Sequence, residues 1–343
     1  MLGSLLGDII GSRFEFMSTQ EKEVELFHRA CSWTDDSILT YAVAKVCNNI
    51  KSNNISNDSE IEKLFVDEFK KIVKEFPMAG WGKSFHVWAN SRNYTPNDSA
   101  GNGCLMRISP IVLYFDDLET IQKIGKICTS VSHNHVDAYK AVDTYLEILH
   151  YLFHSIPKKD IEEPITIEQR KERVKEIALS NGYSIDSVED YHKIAGYWGL
   201  AKDTLPRSIA GYLEGDDFKS IMKNLLYVGS DTDTTATIAG SLAELTYSLD
   251  ADSLHNIYRY YDHKNFNIIK EICNAYNNEK NKDFFNNLFN DSTKSKIIEL
   301  KNHKPVDQTA QWDPLELPSD EEYYNLKPGF SFKKLMIKLF GAR

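Results

Sequence analysis

Two stretches of this chain set hydroxyl and carboxylate oxygens side by side. The first is Thr34-Asp35-Asp36, and the second is Gly229-Ser230-Asp231-Thr232-Asp233-Thr234. Each precedes a run of helical periodicity, so each sits at a helix N-terminus. Alone, the first reads better as an N-cap followed by an acidic first turn, favourable against the helix dipole, and the second can be read as a cap too. The second opens like an EF-hand calcium loop, Asp-x-Asp. However, its sixth position is Ala236 where glycine is needed, and its twelfth is Leu242 where glutamate is needed. Together the two clusters say more. Four aspartates brought to one place, with no basic residue inside either motif, would repel strongly. Divalent cations remove that repulsion, and hard oxygen ligands suit Mg²⁺, Mn²⁺ or Ca²⁺. A pair of such ions can clamp a substrate oxygen and activate water.

Three weaker patches accompany them. Gly101-Asn102-Gly103-Cys104-Leu105-Met106-Arg107 follows a polar loop over 93–103. Glycines there can turn backbone N–H groups toward a phosphate, although a plain turn is the commoner meaning of Gly-x-Gly. Arg107 could meet a phosphate, but pairing with a carboxylate inside the fold weighs slightly more. Ser132-His133-Asn134-His135 ends a predicted helix. Its two histidines, two apart, do not share a helical face and so do not share a metal. His133 could contact a ribose hydroxyl, whereas His135 reads as structural. Finally, Gly7-Asp8 and Gly11 precede Glu15, which is equally a surface carboxylate at a helix end.

In this order, the segments GSLLGDIIGSRFEF, SWTDDSILTYAVA, SAGNGCLMRISPI, SHNHVDAYKAV and GSDTDTTATIAGSLAEL resemble the ADP-ribosylglycohydrolase family over residues 2–247. The resemblance implies an all-α, compact orthogonal helical domain with a binuclear metal cleft holding Mg²⁺ or Mn²⁺. It implies Thr34, Asp35, Asp36, Asp231, Asp233 and Thr234 as metal ligands, with Glu15 or Asp35 handling the proton. Gly101, Asn102, Gly103, Cys104 and Met106 would cradle a pyrophosphate, and His133 would touch the distal ribose. The implied reaction is hydrolysis of the glycosidic bond joining ADP-ribose to a protein side chain or small molecule. The rival class is a non-catalytic protein that binds ADP-ribose or blocks an ADP-ribosyltransferase. The intact set of oxygen ligands argues against that rival. Two departures from the family pattern bear on substrate preference: Leu105 is bulkier than usual, and Ser230 stands where a second glycine is common.

Positioning these groups requires helices, and the periodicity is helical nearly throughout. Helices are predicted over 36–48, 59–76, 81–90, 118–131, 137–153, 167–180, 205–213, 217–227 and 232–249, with Ser59 and Glu62 forming a capping box. Gly3, Gly7 and Gly11, four apart, mark a first helix whose small face admits a close backbone. Ala236, Ala239, Gly240 and Ala243 mark the helix at 232–249 as central and tightly packed. The chain divides into a core over 1–250, a helical completion of the same domain over 251–300, and an extension over 301–343. That extension is acidic first, then basic and amphipathic. A membrane surface or a protein partner is one use for it, and folding back onto the core is another.

Hydrophobic residues make up 42% of the 343, enough for a substantial core. The formal net charge of −10 argues against nucleic acid as a partner, because phosphate backbones need clustered Lys and Arg. It also means that an anionic substrate must be met by bound cations. Five cysteines with no CxxC pair argue against a disulfide framework and point to a reducing, cytoplasmic compartment. The N-terminus lacks a basic region ahead of its apolar residues, and no run is long enough to span a membrane.

Overall fold

A computed structural model describes residues 1–15, 19, 21–92, 95–156, 164–194, 196, 198–261, 265–276 and 281–302. Expectations for the extension over 303–343 and for most of the connection over 157–164 lie outside the described residues. Among those described, the secondary structure is helical with no strand. One isolated antiparallel bridge joins Gly101 to Leu200. The predicted all-α class therefore holds.

The first half comprises α1 (Leu2–Ser12), α2 (Asp35–Ser52), α3 (Asp58–Glu75), α4 (Lys83–Asn90), α5 (Ile111–Tyr114), α6 (Leu118–Ser130) and α7 (Val136–His154). Then follow α8 (Ile167–Ser180), α9 (Val188–Lys193), α10 (Ala201–Glu214), α11 (Phe218–Val228) and α12 (Thr232–Tyr247). The short helices α13 (Ala251–His255), α14 (Ile257–Tyr260), α15 (Asn267–Tyr276), α16 (Lys282–Leu288) and α17 (Asp291–Asn302) come last.

The boundaries differ from the periodicity reading where local capping decides. Asn57, not Ser59, caps α3: its side chain accepts from the Glu60 N–H at 3.0 Å. The helix α2 runs on through Ser52, four residues past the predicted 48, and α10 begins four residues before the predicted 205. Pro206, the sixth residue of α10, lies in its second turn and removes the one i→i−4 hydrogen bond that would reach the Lys202 carbonyl.

The centre of the molecule is the antiparallel pair α1 and α12. All of α1 is buried, and so is every residue of α12 up to Thr246. Cβ atoms built on Gly3, Gly7 and Gly11 would stand only 2.1–2.2 Å from the carbonyl oxygens of Gly240, Ala236 and Thr232. Two helices can approach this closely only where both faces lack side chains. The Thr232 hydroxyl donates to the Gly11 carbonyl at 2.7 Å, tying the ends that meet nearest the aspartates. Beyond residue 250, Ile268, Ile269, Ile272, Ile297 and Leu300 join the same buried cluster as Leu5 and Ile9.

Candidate metal centre

Three helix ends converge. α1 carries Asp8 in its interior and leads to Glu15, α2 begins at Asp35, and α12 begins just after Asp231. Thr34 caps α2, its oxygen accepting from the Asp36 N–H at 3.3 Å, and it simultaneously answers α1. One Asp8 oxygen accepts from the Thr34 hydroxyl at 2.7 Å and the other from the Thr34 N–H at 2.8 Å. Ser37 donates to Asp8 through both its N–H and its hydroxyl. The buried Asp8 is thus an inter-helix cap that fixes how α2 enters the site.

The turn before α12 is made by two consecutive left-handed residues, Gly229 (φ 78°) and Ser230 (φ 75°). For a residue with a Cβ this conformation costs about 1–2 kcal/mol. It is offset here because the Ser230 hydroxyl accepts from the Trp198 N–H at 2.7 Å. The serine at position 230 therefore docks residue 198 beside the site. This turn aims Asp231 and Asp233 back toward α2.

The result is two carboxylate trios that share one residue. One oxygen each from Asp8, Asp36 and Asp233 lie within 4.8 Å of one another, and so do oxygens from Glu15, Asp231 and Asp233. At that separation, two unit charges repel by about 3.5 kcal/mol at an effective dielectric of 20. Three such pairs approach the net stability of a whole domain. Full ionisation of either trio therefore requires cations. The carboxyl groups register the conflict. Burial, then Asp8, Asp35 and Asp231, push Asp36 well above the usual carboxylate range. Burial, then Glu15, Asp231 and Asp36, do the same to Asp233. Asp35 is raised to about 8 by burial and then by Glu15, Asp8 and Asp231. Asp8 rises only to about 6, because hydrogen bonds from Ser37 and Thr34 oppose its burial. One Asp36 oxygen is buried with no hydrogen-bond partner at all. An orphaned carboxylate oxygen facing other carboxylates is what a hard cation would satisfy.

The predicted residues fall into place unequally. Asp36, Asp231, Asp233 and Glu15 are brought together. Asp35 lies outside both trios, half-buried at the head of α2, with its Oδ1 near Gly80. Thr34 spends its hydroxyl on Asp8, and Thr234 donates its N–H to Asp233 at 2.9 Å. Asp8 was assigned no role from sequence. The signal was present: a lone carboxylate among glycines on a helix too small-faced to be exposed.

The glycine loop behaves differently from expectation in detail. Residues 102–104 form a 3-10 turn. The Asn102 amide donates to Asp231 Oδ2 at 2.8 Å and to the Thr204 hydroxyl at 3.1 Å, so its side chain positions a carboxylate. Cys104 is fully buried, its thiol donating to the Gly101 carbonyl and pushed up to about 12 by burial. Met106 is also buried, with its sulfur 3.9 Å from the Thr234 hydroxyl. What this loop can offer a ligand is backbone. It is flanked by a segment the sequence did not mark: the Asn102 N–H donates to the Gly199 carbonyl, and the Ala201 N–H to the Ala100 carbonyl, both at 2.9 Å.

His133 places its Nε2 against the glycine loop, 3.2 Å from where a Cβ on Gly103 would lie. His135 is structural, as expected: its Nδ1 caps α7 by accepting from the Asp137 N–H at 3.1 Å. The expectation that Arg107 pairs with a carboxylate is overturned. Its guanidinium is fully buried, donates to the Cys128 carbonyl and the Ser132 hydroxyl, and stacks 4.5 Å from the Phe69 ring centre.

The helical fold gathers acidic side chains from α1, the segment just after it, the start of α2 and the start of α12 beside a glycine turn, a set of oxygens that could hold a cation. Residues 1–254 match the profile of the ADP-ribosylglycohydrolase family, and the chain belongs to that family. It is similar to human ADP-ribosylhydrolase ARH3, 23% identical over 310 residues covering 73% of this chain and 85% of that protein. It is also similar to the ADP-ribosyl-[dinitrogen reductase] glycohydrolase of Rhodospirillum rubrum, 25% identical over 269 residues covering 73% and 84%. Among solved structures, an ADP-ribosylglycohydrolase-related protein complex aligns with a TM-score of 0.58 and 19% identity, covering 80% of this chain and 94% of that one. That last likeness concerns the fold.

Proposed function

We propose that this protein hydrolyses the glycosidic bond linking ADP-ribose to a protein side chain or small molecule, using two divalent cations, Mg²⁺ or Mn²⁺. The observation that supports it best is the pair of carboxylate trios sharing Asp233, buried except at Glu15, beside an orphaned oxygen of Asp36. The relatives named for ADP-ribosyl hydrolysis point the same way. Asp36, Asp231 and Asp233, with Thr34, Asp35 and Thr234 close by, would hold the ions. Bound there, they would supply Lewis-acid polarisation and charge compensation for an anionic substrate.

The chain's own residues do the rest. Glu15 or Asp35, at the half-buried edge of the cluster, takes the proton from the attacking water. The surrounding carboxylates stabilise positive charge growing on the anomeric carbon as the leaving group departs. Backbone of Gly101, Gly103 and Cys104 approaches the pyrophosphate, Met106 packs beneath, and His133 contacts the distal ribose. All five cysteines are buried. No helix among the described residues is long and apolar enough to cross a membrane.

The test is release of free ADP-ribose from a panel of arginine, serine and O-acetyl linkages, with Mg²⁺, Mn²⁺ or EDTA. Metal-dependent release from one linkage supports the reading and names the substrate. Tight ADP-ribose binding with no release from any linkage would replace it with the non-catalytic reading.

A further inference from the structure

Arg107 is a buried cation with no carboxylate paired to it among the described residues, an arrangement that needs a reason. Its Nη2 donates to the Cys128 carbonyl at 3.0 Å and to the Ser132 hydroxyl at 2.7 Å. Its charge lies over the faces of Phe69 and Phe85. Its Nε and Nη1 have no partner. Ser132 in turn lies 2.9 Å from His133 Nδ1. All three residues are buried.

The chemistry of this chain of contacts has one direction. A guanidinium only donates, so the Ser132 oxygen accepts from Arg107. The Ser132 proton then has one partner among these contacts, His133 Nδ1. Were Nδ1 to carry the proton instead, the serine O–H would be buried and unpaired, at a cost of about 1–3 kcal/mol. A cation at the serine oxygen also makes its O–H the better donor. Nδ1 therefore accepts, and the ring proton sits on Nε2. That atom faces the glycine loop, near both Gly101 and Gly103.

We infer that Arg107 is a positioning residue: through Ser132 it fixes His133 in the Nε2–H tautomer, so that the imidazole presents a preset, uncharged hydrogen-bond donor to an oxygen of the ligand bound against the glycine loop. Burial and the nearby Arg107 charge, which hold His133 well below the ordinary imidazole range, keep the ring neutral for this purpose. The nature of the ligand rests on the proposed function above. The tautomer does not.

The experiment uses full-length protein labelled with ¹⁵N-histidine, with His133 assigned by the loss of its signals in His133→Gln. At pH 8, side-chain ¹⁵N shifts distinguish an Nδ1 acceptor from an Nδ1–H donor. Wild type shows the Nε2–H form alone, and Ser132→Ala shows a mixture of both tautomers. Ser132→Ala also binds ADP-ribose about fivefold to tenfold more weakly, the loss of one oriented hydrogen bond. Ser132→Thr, which keeps the hydroxyl, restores the wild-type tautomer. Arg107→Met loosens the preference in the same sense. Where that variant does not fold, the wild-type and Ser132→Ala spectra decide. Nδ1–H in wild type, or an unchanged tautomer in Ser132→Ala, overturns the inference. If ADP-ribose fails to bind wild type while the tautomers behave as described, the relay stands and the ADP-ribose reading falls.

Discussion

Replacing Gly7 by alanine tests whether the metal centre depends on the α1–α12 approach. The new Cβ would lie 2.1 Å from the Ala236 carbonyl oxygen, where real Cβ atoms essentially never come within 3.0 Å, leaving a deficit of about 0.9 Å. The obstructing atoms are backbone of a buried helix, so no side chain can rotate away. Overpacking a well-filled core costs about 1–3 kcal/mol, and a clash with backbone belongs at the top of that range or above it. Unfolding entropy of about 2.1 cal/mol/K per residue over roughly 300 residues converts 3 kcal/mol to a fall of about 5 °C in Tm. The consequence reaches the site directly. Asp8 is the next residue, and shifting α1 by nearly 1 Å breaks its bonds of 2.7–3.1 Å to Thr34 and Ser37. Differential scanning fluorimetry with and without Mn²⁺ is the assay. Gly7→Ala should melt about 5 °C or more lower and lose most of its Mn²⁺-induced gain. Gly82→Ala is the control, since nothing lies within 4 Å of its added Cβ. A Gly7→Ala protein that melts with wild type and responds fully to Mn²⁺ would refute the argument that this contact sets the site.

Three further outcomes are expected. Asp233→Asn removes the residue common to both trios, so metal-dependent ADP-ribose release should fall by more than about 100-fold. The metal-free protein should melt no lower than wild type, because a neutral amide relieves repulsion, and residual metal-dependent turnover near wild type would contradict the assignment. In EDTA, the raised carboxyl groups, Asp8 to about 6 and Asp35 to about 8, hold protons that the unfolded chain has released. Stability is therefore greatest at low pH and declines as pH rises through those values. Tm should drop between about pH 4 and 8, the gain from added Mg²⁺ or Mn²⁺ should grow over the same window, and a flat metal-free profile would count against the repulsive cluster. Tyr276→Phe strands the Leu2 N–H and a buried Glu244 oxygen, both now bonded to the Tyr276 hydroxyl. That costs about 1–3 kcal/mol, seen as a fall of roughly 2–5 °C in Tm at unchanged activity per folded molecule; an unaltered Tm would show that the hydroxyl contributes nothing.

The residue patterns alone carried the helical class, the small-faced first and twelfth helices, and the ends of most helices to within a few residues. These are local properties: apolar period, capping side chains and glycine spacing act within one or two turns. They also marked Asp36, Asp231 and Asp233, because two acidic helix starts without basic neighbours are unusual within a single motif. Tertiary structure decided the rest. Asp8 entered the site because α1 packs against α2, which no spacing within α1 announces. Asn102, expected at a ligand, also supports Asp231, and Arg107 found a serine and two aromatic rings instead of a carboxylate. Segment 198–201 joined the glycine loop across about a hundred residues of sequence. In each case the deciding quantity is which buried polar atoms meet. Partners distant in sequence satisfy those atoms, and only the packed chain brings the partners within hydrogen-bond range.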